Sequence, residues 1–125
     1  MIFPAWVDQM ICKRNLINPS LDSRISFHEG TRAIHRIQRA IQSCEHIGIF
    51  GDYDCDGITA SALLMRFFER KGIRPFVRLP LRNDGYGLHK NQIDAFHSNH
   101  VSLLITVDTG ISAIEPIQYA HEGGI

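Results

Sequence analysis

With 125 residues, the chain can hold one domain with a modest core. Its 13 basic and 13 acidic residues cancel, so no global charge points to nucleic acid, a membrane or an acidic partner, and any nucleic-acid contact has to come from a local patch. The three cysteines, Cys12, Cys44 and Cys55, form no CxxC pair, which argues against a disulfide framework or a zinc ribbon and suits a reducing, cytoplasmic setting. No apolar run nears the roughly 18 residues of a membrane span, and Met1-Ile2-Phe3-Pro4 lacks the basic start and apolar core of an export signal.

Residues 1–30 are weakly patterned and read as an N-terminal extension, with the short apolar pieces Trp6-Val7 and Met10-Ile11 set between Pro4, Asn18-Pro19 and Gly30. Ile34, Ile37 and Ile41 then recur at helical spacing, with Arg32, Arg36, Arg39 and Gln42 facing away. This predicts an amphipathic helix over 31–45 with Thr31 as N-cap. The apolar run 47–51 reads as a buried strand. After an acidic loop, Thr59 or Ser61 would cap a helix reaching about Lys71, with Ala60, Leu63, Leu64, Phe67 and Phe68 as its apolar face and Gly72 at C′. A strand over 74–79, a glycine-bearing loop over 81–88, a short helix over 90–98, a strand over 101–107 and a helix over 111–121 complete the series. The closing Glu122-Gly123-Gly124-Ile125, where a helix ends and a strand begins, suggests a fragment of a longer protein.

Strand and helix alternate three times, which predicts an α/β fold with a parallel β-sheet flanked by helices. Asp52, Asp54, Asp56 and Asp108 all fall at or just past predicted strand ends, the edge where open α/β sheets bind ligands. Acids this crowded repel one another and persist most easily around cations. An EF-hand loop also opens with acids at its first, third and fifth positions, but it needs a glutamate where Leu63 stands and a helix where a strand is predicted. A haloacid-dehalogenase-type reading of Asp54-Cys55-Asp56-Gly57 remains an alternative, although its aspartate normally follows the apolar run directly and threonine usually stands where Ile58 does. An acidic turn that merely caps the next helix needs only one or two acids. Carboxylates of this kind suit Mg²⁺ or Mn²⁺, and two such ions can support phosphoryl transfer to water.

Gly51-Asp52-Tyr53-Asp54-Cys55-Asp56-Gly57-Ile58-Thr59-Ala60 resembles the first motif of the DHH phosphoesterases, in the form found in RecJ-type single-stranded-DNA exonucleases. Ile105-Thr106-Val107-Asp108-Thr109-Gly110-Ile111-Ser112 resembles the next acidic motif, and Arg82 with Gly85-Tyr86-Gly87-Leu88 resembles the loop between them. Residues 31–125 would then be part of a DHH phosphoesterase domain. The resemblance implies stepwise 5′ to 3′ hydrolysis of single-stranded DNA in repair or recombination, with Mn²⁺ or Mg²⁺ as cofactor. Single-stranded DNA is the implied partner, alongside repair or replication proteins. It implies Asp54, Asp56 and Asp108 as metal ligands and Asp52 as a ligand or a supporting acid. Arg82, Tyr86 and Gly87 would lie near the substrate. The naming Asp-His-His motif and the family's second domain are not in the sequence, so the expectation is that this piece alone is inactive.

Two other functions use the same residues. A small-molecule phosphohydrolase acting on a dinucleotide, pyrophosphate or polyphosphate needs the same carboxylates, and a catalytically silent binding fragment could keep the fold. The histidines lack zinc-ligand spacing and none is assigned to metal; His89 is expected at a helix start. Arg66, Arg70, Lys71, Arg74, Arg78 and Arg82 form a basic stretch that reads either as phosphate-binding or as a solvated face. Cys55 is expected to pack rather than react.

Overall fold

The computed structural model describes residues 28–125. The chain divides at Thr31, and the fold is that of the second unit, Arg32–Ile125, with the residues that open its first helix. The apolar pieces expected near Trp6 and Met10 lie outside the described residues.

Among the described residues the elements run α1 (Gly30–Gln42), β1 (Ile47–Gly51), α2 (Cys55–Glu69), β2 (Phe76–Arg78), α3 (Lys90–Ser98), β3 (Leu103–Val107) and α4 (Ile114–Glu122), with a 3₁₀ turn at Arg82–Asp84. The three strands are parallel in the order β2-β1-β3. This is the predicted α/β architecture. The outer strands are shorter than expected. Pairing along β2 begins only at Phe76, after Pro75 has removed a ladder donor, and along β3 only at Leu103.

Alternation along the strands divides the core into two layers. Phe50 and Leu104 face α3 and α4, where they meet Leu88, Ile93, Phe96, Val101 and Ala120. Phe50 and Phe76 both pack edge-on against Phe96, with ring centroids 6.4 and 5.4 Å away. Ile47, Ile49, Val77 and Ile105 face the other way, toward α1 and α2, with Ala40, Ile37, Leu64, Met65 and Phe68. Gly48 and Gly51 let the helices close on the central strand. A Cβ on Gly48 would lie 2.7 Å from the Phe96 ring, and one on Gly51 would overlap the Ser61 hydroxyl.

That second contact sets the rotation of α2. Gly57, Ser61, Leu64, Met65 and Phe68 turn inward, whereas Leu63 (71% exposed) and Phe67 (45%) lie outside rather than on the expected apolar face. Helix α1 likewise begins at Gly30 and includes Thr31, so Thr31 is not its cap. Arg36, expected to face solvent, reaches the amino edge of the sheet. There it forms a two-pronged pair with Glu45 (3.1 and 2.7 Å) and donates to the Ser102 carbonyl. The Arg36 guanidinium holds the Glu45 carboxyl below the ordinary carboxylate range.

Among the described residues, all four helices close through the same hydrogen-bond pair, the Schellman motif. After α2, Gly72 takes the left-handed conformation (φ +77°) expected of a C′ glycine, and the Ile73 N–H donates to the Phe68 carbonyl at 3.0 Å. Gly124 plays this part after α4, but Cys44 and His100 do so after α1 and α3 with φ +51° and +56°.

Candidate metal centre

Chain order and strand order reverse between β1 and β3. The helix that follows β1 packs on one face of the sheet and the helix that follows β3 packs on the other. Diverging connections open a crevice at the carboxyl ends of two adjacent strands, the switch point where open α/β sheets bind ligands. Register fills this crevice with acid. Gly51 pairs with Val107, so the next residues along each strand, Asp52 and Asp108, stand side by side.

The carboxylates of Asp52, Asp54 and Asp108 each offer an oxygen within 4.8 Å of the others. Their environments differ. Asp52 is 3% exposed and forms the floor, with Oδ1 accepting from the Tyr53 N–H at 2.7 Å. Asp54 is exposed and is the N-cap of α2, with Oδ1 accepting from the backbone N–H groups of Asp56 and Gly57, both at 3.0 Å. Helix α2 therefore starts about one and a half to two turns earlier than Thr59 or Ser61 would have started it, and Thr59 instead returns its hydroxyl to the Cys55 carbonyl. The early start changes two expectations. Alternation stops at Asp54, so Asp56 sits in the first helical turn, exposed and outside the group of three. Cys55, at the first helical position, is exposed rather than packed.

Asp108 holds a left-handed backbone (φ +60°), which short polar residues tolerate best. Its carboxyl is pushed above the ordinary carboxylate value, first by loss of water and then by the charge of Asp54, a hydrogen bond with Asp54, and the charges of Asp56 and Asp52. Asp56 thus acts on the cluster through its field. Backbone geometry presses the loop tight: a Cβ on Gly57 would lie 2.5 Å from both the backbone N and O of Asp52.

Arg82 opens the 3₁₀ turn, which is tied by a 2.9 Å hydrogen bond from the Leu81 N–H to the Asp84 carboxylate. Its guanidinium carbon lies 5.7 Å from the centre of the ring of Tyr53, the residue between Asp52 and Asp54. Tyr86 (66% exposed) and Gly87 are set further round. With His89, Asp108 and the Thr109–Pro116 segment they line a cleft of about 810 Å³ that does not include Arg82. His89 is the N-cap of α3, its backbone N–H bonded to Gln92 Oε1 at 2.8 Å, as expected for a helix start. The basic stretch does not form one patch. Fifteen-residue α2 carries the chain about 22 Å from the acidic edge, so Arg70, Lys71 and Arg74 lie at the opposite edge of the sheet, and only Arg78 and Arg82 return. Tyr53 is not among the site residues expected from the sequence, though an aromatic residue between acids, followed by an arginine just past the next strand, carries the signal.

The donor set consists of three clustered carboxylates, whose crowding raises the proton affinity of Asp108, and it fits a hard divalent cation. Fold and site define a doubly wound parallel α/β protein with a carboxylate cradle at its switch point. The chain belongs to the DHH family, matching that family's N-terminal domain over residues 46–125. It is 35% identical over 94 residues to the single-stranded-DNA-specific exonuclease RecJ of Bacillus subtilis, which covers 74% of this chain and 12% of the relative. To the protein of the same name from Escherichia coli it is 33% identical over 96 residues, 75% of this chain and 17% of the relative. The fold superposes on a crystal structure of exonuclease RecJ bound to manganese with a TM-score of 0.73 and 27% identity, over 81% of this chain and 26% of that one. The chain therefore spans about an eighth to a sixth of the length of the curated relatives it matches. Among the described residues, no helix is long and apolar enough to cross a membrane.

Proposed function

We propose that these residues supply the acidic half of an active site that hydrolyses phosphodiesters of single-stranded DNA stepwise from the 5′ end, in the cytoplasm and in the service of DNA repair or recombination. The observation that carries the reading is the convergence of Asp52, Asp54 and Asp108 at the switch point of a DHH-family domain. Asp52, Asp54 and Asp108 would hold one Mn²⁺ or Mg²⁺, and Asp56 would face a second from the first turn of α2. Such ions supply an activated water and charge neutralisation at the phosphate.

The chain's own groups do the rest. Asp54 is oriented by two backbone N–H donors, so its second function as a helix cap fixes the carboxylate before any ligand arrives. Arg82 presents a fork of N–H donors suited to phosphate oxygens. Tyr86, exposed on the wall of the cleft beside Asp108, offers a face on which a base can stack. Single-stranded DNA is the proposed partner, with repair or replication proteins acting alongside.

The test uses the full-length protein, 5′-labelled single-stranded DNA and Mn²⁺. Release of mononucleotides should stop with a chelator and fall in Asp108→Ala by more than the roughly 10- to 100-fold typical of losing an outer-shell partner. Hydrolysis of dinucleotides or pyrophosphate with oligonucleotides left intact would overturn the nuclease reading in favour of a small-molecule phosphohydrolase.

A further inference from the structure

Tyr53 occupies an unusual place. It stands between two acids of the cluster, is half-buried and belongs to neither layer of the core. Its backbone is fixed on both sides, by its own N–H bond to Asp52 Oδ1 (2.7 Å) and by Asp54, which caps α2 in an extended conformation. The Cα–Cβ bond that carries the ring is therefore anchored to the acidic loop. Arg82 lies over it at 5.7 Å and, among the described residues, makes no ion pair.

This placement answers an electrostatic problem. A guanidinium on a flexible stem at an edge rich in carboxylates is drawn toward them, and pairing with one would consume an acid needed for cations and donors needed for phosphate. An aromatic face attracts the cation through its quadrupole but carries no net charge and accepts no conventional in-plane hydrogen bond. The N–H donors around the guanidinium edge stay available. We propose that Tyr53 is a positioning residue: its ring holds Arg82 at the carboxyl edge, off the acids, with its donors free for a phosphate of the single-stranded substrate. The inference rests on the reading that Arg82 meets substrate phosphate.

The test is steady-state digestion of 5′-phosphorylated single-stranded DNA by the full-length protein in saturating Mn²⁺. Loss of the ring in Tyr53→Leu should raise KM about 2- to 5-fold, the range expected for an exposed cation–π contact, with kcat and the Mn²⁺ titration midpoint unchanged. Tyr53→Phe should restore KM to that of the parent. Replacing Tyr53 by phenylalanine carrying successively more ring fluorines keeps shape while draining the quadrupole, so KM should rise stepwise. The same series in an Arg82→Gln background should be flat. A flat series with Arg82 intact, or an equal rise with and without Arg82, overturns the proposal. If Arg82→Gln by itself leaves KM unchanged, the reading of Arg82 as a phosphate contact fails instead and takes the inference with it.

Discussion

Gly57 is the most discriminating position in the chain, because two physical effects there have opposite signs. It lies inside the first turn of α2, where Gly→Ala ordinarily stabilises a helix by up to about 1 kcal/mol through backbone entropy and propensity. The tertiary structure says otherwise. A Cβ would sit 2.5 Å from the backbone N and O of Asp52 and 2.7 Å from its carbonyl carbon, some 0.9 Å inside the ordinary contact distance of 3.4 Å. Backbone atoms cannot rotate away as a side chain can, so the strand end or the helix must shift. Overpacking of this kind costs about 1–3 kcal/mol, and the rigidity of the neighbour places Gly57→Ala toward the upper end. After the helix gain is subtracted, a net loss of about 1–2 kcal/mol remains, or roughly 5–15 °C in Tm for a domain near 100 residues. Urea unfolding measures the first quantity and calorimetry the second. Because Asp52 is the displaced residue, Mn²⁺ binding should also weaken by about tenfold or more. A Gly57→Ala variant that gains stability and keeps its Mn²⁺ affinity would refute the claim that this glycine seats the acidic loop.

Two further outcomes follow from the backbone and the charges. His100 holds a left-handed conformation (φ +56°) where glycine carries little penalty, so His100→Gly should stabilise the protein by about 0.5–1 kcal/mol in urea unfolding, the handedness penalty exceeding the added chain entropy. Asp108→Asn keeps a residue tolerant of its backbone and removes a charge from the cluster, so in the absence of divalent ions Tm should rise, while the Tm increase on adding Mn²⁺ should disappear. Asp108 titrates above its ordinary value of 3.8 in the folded protein, so its ionised form opposes folding above the folded value. That opposition fades as pH falls through the folded value toward 3.8. The Tm advantage of Asp108→Asn without metal should therefore be full at neutral pH and shrink on acidification.

Much of the fold is legible in the chain because its local signals agree. Uninterrupted apolar residues at 47–50 and 103–105 mark strands covered on both faces, and the glycines at 72 and 124 mark helix ends. What misleads is the phase of α2. Leu63 and Phe67 make a convincing apolar stripe with Leu64 and Phe68, yet the inward face is chosen by two small residues, Gly57 and Ser61, that meet Gly51. Hydrophobicity cannot announce a contact made by the absence of side chains. Arg36 misleads for the reverse reason: on a helical wheel it belongs with the solvent face, and only the fold brings Glu45 and the Ser102 carbonyl within its reach.

The acidic site divides along the same line. That carboxylates gather at strand ends, and that cations are the natural occupants, follows from residue type and position alone, since alternation and the order of elements are properties of the chain. Which acids meet is a matter of register and of where a helix starts. Pairing of Gly51 with Val107 places Asp108 beside Asp52, although the two are far apart in sequence. Capping by Asp54 starts α2 at Cys55, turning Asp56 out of the group and fixing Tyr53 where Arg82 can lie over it. Those outcomes depend on hydrogen bonds between distant segments and on a backbone approach that a single methyl group would block, so only the tertiary structure could decide them.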